Sequence, residues 1–262
     1  MLRALRTASL GMTTQQAGVD NIANNLANAN TTGYKRSTIV FQDLLYQTVQ
    51  AAGEGEAGSG SQPASLQMGH GAAAIATVRN FTQGGLTETG NSLDIAINGD
   101  GFLQIRRPDG TIAYTRDGSF SLDGDGAVVT QTGLALEPDI SVPAEAVEIH
   151  VSQDGVVSVR LQGEPEMSEV GQLELARFSN PGGLIPLGGN LFEQSEASGE
   201  PTIGTPGQEG IGLVRQGFLE TSNVDVVKEM VDLIAAQRAY EINSKMVSTS
   251  EDMLQIANNL KR

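Results

Sequence analysis

The sequence predicts an α+β fold: paired N- and C-terminal coiled-coil-like helices around an inserted all-β middle domain, either a sandwich or an irregular barrel. Three observations predict it. Apolar residues recur at sevens near both ends, Asp-Gly turn pairs punctuate β-rich runs between them, and the pentapeptide IANNL at Ile22–Leu26 returns at Ile256–Leu260. A chain of 262 residues with 39% hydrophobic content can bury a sizeable core, and 7 Phe, 4 Tyr and no Trp make that core aliphatic.

The first helix follows from Leu5, Met12, Val19 and Leu26, spaced by seven, with Ala8, Gln15, Ile22 and Ala29 each three further on. That is the a/d pattern of a coiled-coil seam with one polar defect. Asn21, Asn24, Asn25, Asn28 and Asn30 crowd its second half. Each costs roughly 0.6 kcal/mol of helix propensity relative to Ala, so the segment needs something packed on it to stay helical. Thr31-Thr32-Gly33 is expected to end this helix, with Gly33 as a left-handed cap.

Residues 53–64 read as a flexible Gly-rich acidic loop. From about Ala74 the chain turns to short alternating runs, with Asp109-Gly110, Asp117-Gly118, Asp125-Gly126 and Asp154-Gly155 as expected hairpin turns. Ser222 to Asp225 matches a capping box at the start of the second helix. There Val226, Leu233, Tyr240, Val247 and Leu254 repeat at sevens, beside a second stripe of Ala239, Met246, Met253 and Leu260. This apolar face is wider than one partner helix needs. The expected organisation is a helical assembly domain from 1–36 with 223–262, an extended connecting region from 37–70 with 208–222, and a β-rich outer domain from 71–207.

Charge is segregated in the same way. The net charge of −15 divides into +3 over residues 1–36, −17 over 37–213 and −1 over 214–262. An acidic middle argues against nucleic acid as a partner, and no stretch is long and apolar enough for membrane insertion. No apolar run of signal-peptide length opens the chain, so any export is expected to proceed without a cleaved signal. The absence of cysteine rules out disulfides and thiolate metal sites.

No constellation points to catalysis, a cofactor or a metal. Gly53, Gly55 and Gly58 have GxGxxG spacing, but Glu54 and Glu56 would repel a phosphate. Asp117, Asp123 and Asp125 lack the ligand spacing of a calcium loop, and His70 and His150 stand in unrelated contexts. Two readings from other classes compete with a structural one. A secreted cell-wall-acting enzyme requires a cleft with a raised-pKa carboxylate, and a monomeric binding module requires helices that are fully satisfied within one copy.

Four segments carry a resemblance: NNLANANTTGYKR (24–36), LDIAINGDGFLQI (93–105), YTRDGSFSLDGDG (114–126) and the long run from Gln216 to Gln255. They resemble the bacterial flagellar rod and hook family along nearly the whole chain. The segment at 46–63 lies where rod and hook members diverge and favours the distal-rod branch, with a proximal rod or hook paralogue as the alternative. The resemblance implies a structural, non-enzymatic subunit of the flagellar basal body that polymerises helically into the periplasm-spanning drive shaft and transmits torque to the hook. Its implied partners are further copies of itself, proximal rod proteins, the hook protein, the P- and L-ring bushing proteins and the type III export apparatus. The expected interface residues are Leu5, Met12, Val19, Ile22 and Leu26 on the first helix. On the second they are Leu233, Tyr240, Met246, Val247, Met253, Leu254 and Leu260.

Overall fold

The computed structural model describes residues 2–50, 65–163 and 166–259. They fall into two compact units, one from residues 1–26, 37–78 and 226–262, the other from 27–36 and 79–225.

The first unit is built on two long helices, α1 (Leu2–Ala27) and α2 (Val226–Asn259). They run antiparallel. Asn25 Nδ2 donates to Glu229 Oε2 at 3.2 Å, Val19 and Tyr240 line one cleft, and a Cβ on Gly11 would come within 3.0 Å of Asn243 Nδ2. As the chain number rises along α1 it therefore falls along α2. Strand Ser37–Asp43 pairs with Ala72–Arg79, and Tyr46–Gln50 pairs antiparallel with Leu66–Gly69. The Gly-rich stretch expected as a loop, residues 53–64, lies outside the described residues.

Both helix boundaries differ from the expectation. α1 stops at Ala27, six residues before Gly33, where Asn28 closes a local turn, its carbonyl accepting from Thr31 N at 3.2 Å and its Oδ1 from the Thr31 hydroxyl at 3.2 Å. Gly33 does adopt φ 67°, as a turn and not a cap. Its N–H donates to Glu220 O at 2.8 Å, and a Cβ there would press within 2.6 Å of the Asp117 backbone. α2 begins at Val226, which puts Asp225 in the N-cap position in place of Ser222. The Ser222 hydroxyl accepts from Val224 N at 3.3 Å, closing a local turn ahead of the helix.

The second unit is the β-rich one. Its nine-stranded sheet runs 185–188, 191–193, 112–115, 102–106, 135–137, 128–130 and 120–122, with 175–177 also paired to 102–106 and carrying 202–204. Strands 146–151, 156–161 and 167–172 form a separate three-stranded antiparallel sheet. The central strand Phe102–Arg106 is buried at four consecutive positions, Gln104 among them, so both of its faces are covered. Leu103 and Ile105 enter the aliphatic core with Leu136, Val159, Leu173 and Leu175. Phe102, pointing the other way, joins Tyr114, Phe178 and Phe192 in an edge-to-face aromatic cluster with centroids 4.8 to 6.3 Å apart. Asp109-Gly110, Asp125-Gly126 and Asp154-Gly155 are hairpin turns with positive φ at each glycine. Asp117-Gly118 is not. Strands 112–115 and 120–122 do not pair with each other, and Gly118 packs so tightly on Ile95 that a Cβ would overlap its carbonyl oxygen.

Candidate functional site

The candidate site of the helical unit is a surface on its two helices held in place by polar clamps. Asn21 and Asn25, one helical turn apart, grip Ser37 from the same face of α1. Asn25 Nδ2 donates to Ser37 O at 2.8 Å and its Oδ1 accepts from Ser37 N at 3.0 Å. Asn21 Oδ1 accepts from the Ser37 hydroxyl at 2.6 Å while its Nδ2 donates to Ser37 O at 2.9 Å. Asn25 also reaches Glu229, and both of these side chains are fully buried. Asn25 thus ties α1, the strand that opens at Ser37 and α2 together, and its low helix propensity is the cost of that role. The signal was visible as two asparagines at i and i+4; the partners were not.

The expected interface residues divide into two groups. Leu5, Met12, Val19, Ile22 and Leu26 on α1, with Leu233, Val247 and Leu254 on α2, are half-buried. Tyr240 at 41%, Met246 at 51% and Met253 at 47% remain exposed, and Leu260 lies outside the described residues. Beside them α2 shows further apolar side chains to solvent, Val227 at 72% and Ile242 and Ile256 each at 60%. Between the helices, Gln16, Val19, Gln237, Tyr240 and Glu241 border an open groove of about 370 Å3. The two IANNL segments do different things: Asn25 of the first is buried in the clamp, while Asn258 and Asn259 of the second are exposed.

The β unit holds a buried ionic cluster that the sequence reading missed. Lys35 Nζ donates to Glu220 Oε1 at 2.6 Å and to Thr82 O at 2.9 Å. Glu220 Oε1 also accepts from Gly84 N at 2.8 Å, and Arg116 lies 3.5 Å from Oε2 with its guanidinium over the Phe102 ring. Burial pushes the Lys35 ammonium below its ordinary range, against the upward pull of Glu220. Burial likewise lowers Arg116. The cluster binds residues 31–36, which follow α1, to the strand Phe218–Glu220, which precedes α2.

Comparison with known proteins bears on these same segments. The profile for the flagella basal body rod protein matches residues 5–35, that for the flagellar hook protein FlgE/F/G D1 domain matches 96–159, and that for the flagellar basal body rod FlgEFG protein C-terminal region matches 215–260. The flagellar basal-body rod protein FlgG of Borreliella burgdorferi is 51% identical over the full length of both chains. In Caulobacter vibrioides the FlgG protein is 46% identical over 99% of this chain and all of its own, while FlgF of the same organism is 36% identical over 90% and 88%. The chain belongs to the FlgG family of flagellar basal-body rod proteins.

FlgG-family membership makes this a structural rod protein of the flagellar basal body. The N-terminal profile contains the whole Asn21–Asn25 pair and ends on Lys35, while the C-terminal one begins ahead of Glu220 and covers the described length of α2. Asp117, weighed as a calcium ligand, instead accepts from Thr32, Ser119 and Asn190. Among the described residues no group of three His, Asp or Glu side chains is arranged to hold a metal ion. No helix there is long and apolar enough to cross a membrane.

Proposed function

We propose that this FlgG-family chain is a non-enzymatic subunit that polymerises helically into the distal rod of the bacterial flagellum and passes torque to the hook. The observation that carries the reading is the face of α2, where large apolar side chains stand in solvent along a 34-residue helix. Isolated apolar residues on a surface need no explanation, but a stripe of this length marks an interaction site.

In this reading Leu5, Met12, Val19 and Leu26 form an antiparallel coiled-coil-like seam with Leu254, Val247, Tyr240 and Leu233 inside one copy. Met246, Met253 and Leu260 meet neighbouring copies. A heterologous contact repeated without closure builds an open helical tube. Proximal rod proteins, the hook protein, the P- and L-ring bushings and the type III export apparatus are the further partners, at a site spanning the periplasm.

Met246→Asp with Met253→Asp tests the reading, because both side chains are exposed and the monomer should keep its helicity by circular dichroism. Sedimentation of the purified chain should then show loss of the polymer. Wild-type assembly by the double variant removes this stripe from the interface. A charge at the half-buried Val247 should block assembly as well, since an unpaired charge there costs several kcal/mol per copy.

A further inference from the structure

The helical unit also carries a charged cleft that the seam and stripe do not use. Arg3, Arg6, Thr7, Gln47 and His70 border a cleft of about 120 Å3. Among the described residues no carboxylate borders it. Arg3 has only the Met68 sulfur, at 3.9 Å, and His70 Nδ1 is buried with no hydrogen-bond partner among the described residues. Two guanidiniums with no acid beside them among the described residues are out of character in a chain with 31 acidic and 16 basic residues. Such a cleft selects an oxyanion, and a pair of carboxylates suits two guanidinium forks best.

The helical unit holds one adjacent pair of carboxylates, Glu251 and Asp252 on α2, both exposed and in no ion pair or hydrogen bond among the described residues. Its other acids are differently placed. Glu229 is buried against Asn25 and Glu241 pairs with Arg238 at 3.2 Å. Glu251 and Asp252 also lie between Met246 and Met253, on the stretch of α2 assigned above to neighbouring copies.

We propose that the Arg3–Arg6–His70 cleft of one copy receives Glu251 and Asp252 of a second copy, adding an electrostatic joint to the apolar contact. The inference rests on the polymer reading. Its role is selectivity between copies: the basic cleft of one copy attracts the acidic pair of another, and like charges repel when like meets like.

A charge-swap mixing experiment tests it. One variant carries Arg3→Glu and Arg6→Glu, another Glu251→Lys and Asp252→Lys, and a third carries all four changes. Each two-residue variant alone should raise the critical concentration for polymerisation by about tenfold or more, and an equimolar mixture of the two should restore it, since every contact is again between opposite charges. The wild-type polymer should weaken with added salt.

Wild-type assembly by either variant alone overturns the joint. So does a mixture that fails while the four-residue variant assembles, because the pairing would then lie within one copy. Failure of both the mixture and the four-residue variant overturns it too, because the groups would then matter for something other than each other. A wild-type chain that stays monomeric removes the polymer reading itself, and the joint with it.

Discussion

The β unit and the helical unit solve opposite problems. In the β unit Leu103, Ile105, Val159 and Leu175 are wholly out of water, and two clusters on opposite faces of strand 102–106, one aliphatic and one aromatic, complete the core within a single copy. In the helical unit the deepest side chains are Asn25 and Glu229, while the apolar ones on α2 stay wet. Apolar burial is the main favourable term in folding, so the first unit is finished alone and the second is not. What holds the helical unit's chain paths is directional hydrogen bonding, which fixes geometry at a modest net gain in stability. A subunit that must present a defined face to identical neighbours needs that combination: a rigidly placed surface whose hydrophobic gain is still to come.

The comparison breaks most visibly at Glu220. Replacing it with Ala strands Lys35 and Arg116 in the interior of the β unit, and the expected loss is about 3–5 kcal/mol, read from the midpoint of urea unfolding. A loss under about 1 kcal/mol would mean that the cluster is solvated in solution. Next comes Asn25→Ala, which deprives Ser37 N of its side-chain acceptor and Glu229 of a donor, while Asn21 still reaches Ser37 O. About 2–3 kcal/mol is expected, seen as faster amide exchange in residues 2–43 with the strands at 102–115 still protected. Equal deprotection of both regions would show that the two units unfold as one.

At the small end, Ile242→Ser on the exposed face of α2 should change monomer stability by no more than about 0.5 kcal/mol while weakening polymerisation. The same substitution destabilising the dilute monomer would mean that α2 is already covered in one copy. The smallest expected effect is one of pH. Lys35 titrates below its ordinary 10.5 in the folded chain, so between the two values the unfolded chain holds the extra proton and stability rises with pH. Lys35→Met should flatten that slope in thermal melts at pH values approaching 10.5 from below. An unchanged slope would place the titration on another group.

Much of the fold was legible because local chemistry and tertiary structure agree. The sevenfold recurrence marks both helices, and the Asp-Gly pairs at 109, 125 and 154 mark real hairpins since each glycine must take positive φ. Legibility failed where a residue's partner is distant in sequence. Asp117-Gly118 carries the same dipeptide as the true hairpins, yet its strands belong to different pairs. The twin IANNL segments are equal in letters, but only the first lies beside Ser37 and Glu229.

The sequence by itself determined the class of the protein: two periodic helices at the chain ends, an aliphatic β-rich middle, and charge gathered in that middle. Periodicity and turn chemistry are short-range properties, and they survive without knowledge of neighbours. Only the tertiary structure decided which polar groups are buried and to what they are tied. Asn25 meets Glu229 across 204 positions and Lys35 meets Glu220 across 185, separations over which no local pattern reports. It also decided that the apolar stripe on α2 stays in water, because exposure depends on what else the chain has to cover it with.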